Sequence, residues 1–338
     1  MKRIITLLLA MSFIAASASA AQTVEPKTKV RPTKSLLLYP EGQNTDKGIT
    51  ENGKQITLGP GESNGYTKPE EINKHGNLGG ISDSARIDIY IPKRHNGQMI
   101  VVCPGGGYWI VSAFNEGAYV ADWCMKQGIA VCVVKYRLPY GHCTVPLTDV
   151  QNAFRYCRAH AQEWGINQIG VMGFSAGGHL AASASTLFTD DVTRPDFSIL
   201  VYPVITFNMA LTHAGTHNNL IGYAKDKFNE DMTVKEYNEA KAAYEALEEH
   251  YSLEKQVTEN TPPTMLLLSA DDDTVPPENS FLYYDALRAH KVQAQMYVYP
   301  YGRHGWGFTT DEFGKDAIST YRPLFFQAIR TWLKEIEK

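Results

Sequence analysis

The chain has few cysteines and no cluster of basic residues, and both scarcities narrow the class of protein. Its 338 residues include five cysteines, an odd number, which lie in apolar segments without a CxxC pair. Such usage argues against a dense disulfide framework and against a zinc site, so we expect mostly buried thiols and one or two bridges at most. The formal net charge is −4, and the sequence has no block of basic residues. Both observations argue against nucleic acid as a partner.

Long apolar runs are missing as well, apart from one at the N-terminus. Lys2 and Arg3 precede an apolar stretch over residues 4–14, and small residues end it at Ala20. This pattern is typical of a cleavable signal peptide, residues 1–20. A membrane anchor is the alternative, but the stretch is shorter than the roughly 20 residues that span a bilayer. We therefore expect a periplasmic or secreted product without a membrane anchor.

The remainder contains no internal repeat and has an ordinary globular composition, with 43% hydrophobic and 20% charged residues. Residues 21–34 are polar and contain two prolines, which predicts a flexible leader. Residues 35–338 then form a single domain, since α/β folds often exceed the usual domain size.

From residue 86 onward, short apolar runs alternate with amphipathic ones. This alternation predicts the α/β class, with a mostly parallel central sheet and helices on both of its faces. The predicted strands are residues 36–39, 86–91, 99–103, 129–134, 169–172, 198–202, 265–269 and 295–298. The predicted helices are residues 116–126, 149–164, 177–187, 279–290 and 318–337. Residues 206–261, helical over 234–250, form a charged insertion, either a small cap over the strand ends or a solvated excursion.

The strongest chemical signal is a GxSxG motif, Gly173 to Gly177, between an apolar strand and a small-residue helix. A serine in such a sharp strand-to-helix turn keeps its hydroxyl exposed, and flanking glycines avoid collisions. We therefore predict Ser175 as a nucleophile. The alternative is a small-residue helix packed closely on the sheet.

A glycine run follows an earlier strand. Backbone N–H groups in such a run stay accessible, so Gly106 and Gly107, together with the N–H of Ala176, are the predicted oxyanion hole. A phosphate loop is the competing interpretation, but the GxGxxG and Walker patterns are absent. An ordinary turn is the other alternative.

A histidine and an acid complete the predicted site. Three acids, Asp271 to Asp273, follow the strand 265–269, where a carboxylate can orient a histidine. A turn or a calcium site would also use such acids. His304 lies in a glycine-rich loop after the last predicted strand and is the predicted general base.

Three other polar residues carry weaker signals. His213 and His217 stand four residues apart in the insertion and could ligate a metal, but no third ligand is evident, and substrate-lining or surface roles are favoured. Asp149 is predicted to open a helix in a structural role. We expect neither a metal nor a cofactor.

Taken together, these motifs resemble those of α/β-hydrolase esterases related to bacterial acetylxylan esterases and the hormone-sensitive-lipase-like group. The segments that carry the resemblance are residues 104–108, 136–138, 173–180, 272–276 and 302–307. In that family the acid is followed by two residues and then by Val-Pro, which selects Asp272. Pro104 stands where the family usually has histidine before its glycines.

The resemblance implies the α/β-hydrolase fold, with residues 35–338 as the catalytic domain. It also implies hydrolysis of small acyl esters, typically acetyl groups, on oligosaccharides or polysaccharides such as xylan. Tyr108 and Trp306 are predicted to bind substrate by stacking on a sugar or closing an acyl pocket, and core packing is the alternative. A feruloyl or broad carboxylesterase, a serine exopeptidase and a non-catalytic binding protein are the competing functions.

Overall fold

The computed structural model describes residues 25–38, 50–51, 54–55, 70–81, 85–229, 231–308 and 320–337. The predicted signal peptide and residues 21–24 of the predicted leader lie outside this part of the chain. Residues 25–33, which we expected to be flexible, are hydrogen bonded to the domain. Thr28 Oγ1 donates to Asp122 at 2.6 Å, and the Thr33 N–H donates to the Ile89 carbonyl at 2.7 Å. This segment therefore packs on the domain.

Eight strands form one central sheet, in the order β1-β6-β9-β7-β10-β11-β12-β13. The strands are β1 (Lys34–Leu37), β2 (Thr50–Glu51), β3 (Lys54–Gln55), β4 (Glu71–Ile72), β5 (Asn77–Gly79), β6 (Arg86–Tyr90), β7 (Gln98–Cys103), β8 (Ile110–Ser112), β9 (Ala130–Lys135), β10 (Gln168–Phe174), β11 (Ser198–Val201), β12 (Thr264–Ser269) and β13 (Ala294–Tyr299). Strands β2 and β3 pair with each other, and β4, β5 and β8 form a small antiparallel sheet.

Within the central sheet, every pair from β9 to β13 is parallel, and β6 alone runs against its neighbours β1 and β9. Strands β7 and β10 are buried at every position. Such continuous apolar runs suit strands that are covered on both faces by helices.

The helices lie on both faces of this sheet. They are α1 (Tyr119–Lys126), α2 (Val145–Trp164), α3 (Ala176–Thr186), α4 (Ala214–Ile221), α5 (Ala224–Lys227), α6 (Val234–His250), α7 (Glu278–Ala289) and α8 (Arg322–Glu335). Phe154 of α2 and Leu180 of α3 belong to one hydrophobic core, whereas Val120 of α1 and Trp332 of α8 belong to a second one. The predicted α/β-hydrolase fold, with helices on both faces, is confirmed.

Several element boundaries differ from the prediction. Strand β1 begins two residues before the predicted strand 36–39, and α8 begins at Arg322, within the predicted range 318–337. Helix α2 begins at Val145 because Pro146 suits a first helical turn, in which backbone N–H groups have no helical partner. Asp149 therefore does not open the helix. It lies one turn inside, fully buried, and pairs with Arg137 at 2.7 Å.

The predicted helix 116–126 has two parts. A π-helical turn, Phe114–Ala118, precedes α1. Such turns are rare and frequently occur at functional sites. This one contributes two buried polar residues, Asn115 and Glu116.

The insertion is helical, comprising α4, α5, α6 and a 3-10 turn, Leu253–Lys255. Helix α6 begins with a capping box between Thr233 and Glu236 and buries one residue, Tyr244, so that most of its surface faces solvent. On α4, the Asn219 Nδ2 donates to the Gly107 carbonyl at 2.8 Å. The insertion therefore contacts the glycine loop.

All five cysteines are buried and none of them is in a disulfide bond, which agrees with the prediction of mostly buried thiols. None of the helices within the described ranges has the length and apolar content needed to cross a membrane.

Candidate active site

Ser175 lies in the sharp turn between β10 and α3. Its backbone has φ 53° and ψ −121°, a conformation that is costly for a residue with a Cβ. A Cβ at Gly177 would lie 2.2 Å from the Cys103 carbonyl oxygen, and one at Gly173 would lie 2.1 Å from the Gly177 oxygen. Both flanking glycines are therefore required for the helix to approach the strands.

Ser175, His304 and Asp272 are connected by two hydrogen bonds. The Ser175 Oγ lies 2.8 Å from His304 Nε2, and His304 Nδ1 lies 2.7 Å from Asp272 Oδ2. The other carboxylate oxygen of Asp272 accepts the N–H groups of Thr274 at 3.0 Å and Val275 at 2.9 Å. An imidazole in this position can accept the serine proton at Nε2 while its Nδ1–H stays on the carboxylate.

The two neighbouring acids face elsewhere. Asp271 accepts the N–H of Arg303 at 2.8 Å and so fixes the start of the histidine loop. Asp273 lies 3.5 Å from the hydroxyl of Thr274, at the surface. Of the three acids, Asp272 is the one that reaches the imidazole.

The glycine loop passes directly beside Ser175. A Cβ at Gly105 would lie 3.0 Å from the Cβ of Ser175, and Gly106 and Gly107 have φ values of 125° and 64°. The Gly106 carbonyl accepts the N–H groups of Trp109 and Ile110, which closes the loop into a turn. Within the described residues no hydrogen bond occupies the N–H of Gly106 or Gly107.

Ala176 supplies a third available donor. It is the first residue of α3, and the first N–H groups of a helix have no partner within it. The N-terminus of a helix also favours negative charge. The three predicted oxyanion donors are therefore on the two backbone segments that flank the serine.

Tyr108 and Trp306, predicted to bind substrate, are instead core residues. Each is 1% exposed. The Tyr108 hydroxyl lies 3.1 Å from His179 Nδ1, and the Trp306 Nε1–H donates to Ser269 Oγ at 3.0 Å. Their indole and phenol rings pack inside the protein, which corrects the prediction.

His213 and His217 have different surroundings. His217 is buried and lies 2.9 Å from Glu248. His213 caps α4, where its Nδ1 accepts the Thr216 N–H at 3.1 Å, and its ring lies 3.6 Å from a Cβ built on Gly107. Burial lowers the pKa of His213, and the nearby His304 lowers it further. His213 therefore lies at the border of the site, in agreement with the substrate-lining role that was one of the alternatives in the sequence analysis.

No set of three His, Cys, Asp or Glu side chains among the described residues is arranged to hold a metal ion.

Two site residues carried no signal in the sequence. Tyr202 follows β11 and places its ring 4.8 Å from the imidazole of His304. Glu116 is 4% exposed and bonds to the backbone of Gly105. The first contact joins segments far apart in the chain, and the second depends on a π-helical turn of five residues, which carries no periodicity. No local pattern therefore indicated either residue.

Comparison with known proteins identifies relatives. The BD-FAE family model matches residues 87–287. An acetylxylan esterase from Xylanibacter ruminicola is 37% identical over 261 residues, covering 76% of this chain and 50% of the relative. The endo-1,4-beta-xylanase B of Butyrivibrio fibrisolvens is 34% identical over 230 residues, covering 63% of this chain and 33% of the relative. The chain thus spans half or less of the length of these two proteins.

Solved structures are similar over most of the chain. The acetyl ester-xyloside bifunctional hydrolase from Caldicellulosiruptor lactoaceticus superposes with a TM-score of 0.65 at 28% identity, covering 91% of this chain and 98% of the other. The carboxylesterase Cest-2923 from Lactobacillus plantarum superposes with a TM-score of 0.58 at 22% identity, and the match covers 79% of this chain and 98% of the carboxylesterase. The second likeness concerns the fold alone.

Proposed function

Because the chain belongs to the BD-FAE family, we propose that it is a serine esterase that hydrolyses small acyl esters, above all acetyl esters, on plant polysaccharides such as xylan. The observation that carries this proposal is the 2.8 Å contact between Ser175 Oγ and His304 Nε2, with Asp272 behind the imidazole. Ester hydrolysis needs such an activated hydroxyl next to donors for an oxyanion.

The reaction proceeds in two halves. Ser175 Oγ attacks the ester carbonyl carbon while His304 Nε2 takes the hydroxyl proton, and Asp272 stabilises the resulting imidazolium. The N–H groups of Gly106, Gly107 and Ala176 hold the oxyanion, each such donor contributing roughly 10²- to 10³-fold in rate. His304 then protonates the leaving sugar oxygen, which departs as a hydroxyl and leaves the acyl group on Ser175. Water attacks this acyl-enzyme as the same imidazole takes its proton, and His304 returns that proton to Ser175 Oγ when the acid is released.

The substrate class rests on the relatives. One is named an acetylxylan esterase and another an acetyl ester-xyloside bifunctional hydrolase. The predicted signal peptide supports a periplasmic or secreted location, where polysaccharide is available. An exported protein that begins at Ala21 is the expected finding by N-terminal sequencing, and an intact N-terminus contradicts export by cleavage.

Acetate release from acetylated xylan tests the proposal. Wild type should release acetate and Ser175→Ala should not. Asp272→Asn should lower kcat roughly 10⁴-fold, because the histidine loses the partner that fixes its tautomer. Asp271→Asn is the matched control, since an asparagine oxygen can still accept the Arg303 N–H, and it should retain activity.

The same assay separates the competing substrates. Faster release of ferulate from feruloyl esters than of acetate would replace the acetyl assignment with a feruloyl esterase. A folded wild type that hydrolyses neither ester would contradict the esterase proposal itself.

A further inference from the structure

The π-helical turn Phe114–Ala118 places a buried carboxyl group beside the glycine loop. Glu116 Oε2 accepts the Gly105 N–H at 2.7 Å, and its Oε1 lies 2.8 Å from the hydroxyl of Tyr202. Gly105 is the residue immediately before the predicted oxyanion donors and lies against Ser175. One carboxylate oxygen therefore holds the glycine loop, and the other holds Tyr202.

Tyr202 extends this connection to the histidine loop. Its hydroxyl oxygen accepts the Gly307 N–H at 2.8 Å, so that its own hydrogen is available to donate to Glu116. The phenol ring lies 4.8 Å from the His304 imidazole, with 57° between the planes. The position of Tyr202 thus depends on Glu116, and the imidazole packs on Tyr202.

Asn115 holds the histidine loop directly. Its Nδ2 donates to the Gly305 carbonyl at 3.1 Å, and its own carbonyl accepts the Phe308 N–H at 3.3 Å. A Cβ at Gly307 would lie 2.6 Å from the Asn115 side-chain oxygen, so this close packing depends on glycine. Two consecutive residues of one turn therefore hold both loops that face Ser175.

Burying a charged carboxylate lowers the stability of the fold unless hydrogen bonds compensate for the lost hydration. Burial raises the pKa of Glu116, while hydrogen bonds from Tyr202 and Gly105 and the proximity of His304 oppose that rise. Its removal would leave the Gly105 N–H and the Tyr202 hydroxyl without this acceptor, inside the protein. An apolar residue would therefore fill the space but remove the hydrogen bonds to Gly105 and to Tyr202.

We propose that Glu116 is a positioning residue, which holds the glycine loop and, through Tyr202, the His304 imidazole in their places beside Ser175. This inference rests on the proposed esterase function. Glu116 itself does not touch the reacting atoms. It acts on two partners of the serine at once, so that its loss should impair the chemical step more than substrate binding.

Glu116→Gln and Tyr202→Phe test the proposal from the two ends of one hydrogen bond. Glutamine keeps the size of the side chain but cannot accept from Gly105 and Tyr202 together, and phenylalanine keeps the ring on His304. With 4-nitrophenyl acetate, each variant should lose roughly 10- to 100-fold in kcat with KM within about 2-fold of wild type, the size expected from misplacement of reacting groups. The double variant should lose much less than the product of the two effects.

Glu254→Gln provides the matched control. Glu254 likewise accepts a hydrogen bond from a hydroxyl, that of Thr206, but it is only partly buried and belongs to the turn after α6. Its substitution should leave kcat unchanged. Circular dichroism establishes that each variant is folded, and Tyr202→Phe keeps the test available if Glu116→Gln does not fold.

Amide hydrogen exchange reports on the loops without any activity. In Glu116→Gln, exchange should rise in peptides covering both residues 104–108 and residues 302–308, but not in Glu254→Gln. Unchanged exchange in either loop, or an unchanged kcat in both folded variants, would overturn the positioning role. An inactive wild type would contradict the esterase proposal, while the exchange comparison would still decide whether Glu116 holds the loops.

Discussion

Ser175 occupies the N-cap position of α3, where serine usually accepts a hydrogen bond from the helix backbone. Its side chain makes no such bond and contacts His304 instead. The positive φ adds backbone strain of order 1–3 kcal/mol. The conformation of Ser175 therefore lowers the stability of the fold but places its hydroxyl on the His304 imidazole.

Two substitutions of Ser175 should separate activity from stability. Ser175→Ala should lower kcat by roughly 10⁶-fold. Its melting temperature should stay near that of wild type, because no cap is lost. Ser175→Gly should be equally inactive but more stable by about 1 kcal/mol, since glycine adopts positive φ without strain. Urea unfolding of the three proteins measures the difference, and a glycine variant less stable than the alanine variant contradicts this account.

At the residue scale, the sequence predicted what local patterns encode. The strand-turn-helix context indicated Ser175, and the Val-Pro spacing of the family selected Asp272. Tyr108 and Trp306 were misjudged because nearness to a motif says nothing about the direction of a side chain. Glu116 was missed because its partners Gly105 and Tyr202 come from other elements.

At the scale of elements, the close approach of α3 to the end of β7 shapes the site. Gly177 lies against the carbonyl oxygens of Cys103 and Pro104, at 2.2 and 2.4 Å from a built Cβ. These backbone atoms lead directly into the glycine loop. A side chain at position 177 would therefore push the helix and the loop apart.

Gly177→Ala should destabilise the protein by roughly 1–3 kcal/mol, the usual cost of overpacking, and should lower kcat strongly. Ser183→Ala in the same helix is the control, because that hydroxyl only donates back to the His179 carbonyl. Urea midpoints and ester hydrolysis measure both effects. Wild-type stability and rate in Gly177→Ala would show that the helix and loop can separate without consequence.

The elements themselves were predictable where burial is continuous. Strands such as β7 and β10 follow directly from apolar runs, and α6 was predicted with its observed bounds, Val234–His250. The π-helical turn before α1 was not, because five residues carry no periodicity. The contact of α4 with the glycine loop was also beyond local patterns, since Asn219 and Gly107 meet only in the folded chain.

Across the whole molecule, a buried histidine links α3 to the insertion. His179 is fully buried, its Nε2 lies 2.9 Å from the Tyr251 carbonyl, and its Nδ1 lies 3.1 Å from the Tyr108 hydroxyl. Burial lowers the pKa of His179 to about 4. The folded protein therefore keeps this imidazole neutral at pH values where the unfolded chain binds a proton.

Acidification should for this reason destabilise the fold. Since the unfolded chain takes up the proton below its ordinary pKa of roughly 6.5, the free energy of unfolding should fall between pH 6.5 and 4. The contribution of His179 is up to about 3 kcal/mol. Burial raises the pKa of Glu116, which acts in the opposite sense, so the effect must be isolated by comparison.

His179→Gln provides that comparison, because the amide donates and accepts hydrogen bonds but does not titrate. Urea unfolding at several pH values should show the stability advantage of wild type over this variant shrinking as the pH falls. A constant difference between the two proteins would mean that His179 does not carry the pH dependence.

The overall architecture followed from the alternation of apolar and amphipathic runs, which indicates a covered, mostly parallel sheet. The order of the strands did not, because it depends on which runs pair across crossovers rather than on any run alone. The reversed direction of β6 and the packing of residues 25–33 on the domain likewise arise from distant contacts.

The five buried thiols mean that no disulfide bond supports this fold. None of them is accessible at the surface of the folded protein, so neither a disulfide-forming catalyst nor a reductant can reach them without unfolding it. The fold therefore does not depend on the oxidation of these five residues. We expect the chain to reach this fold in a reducing cytosol.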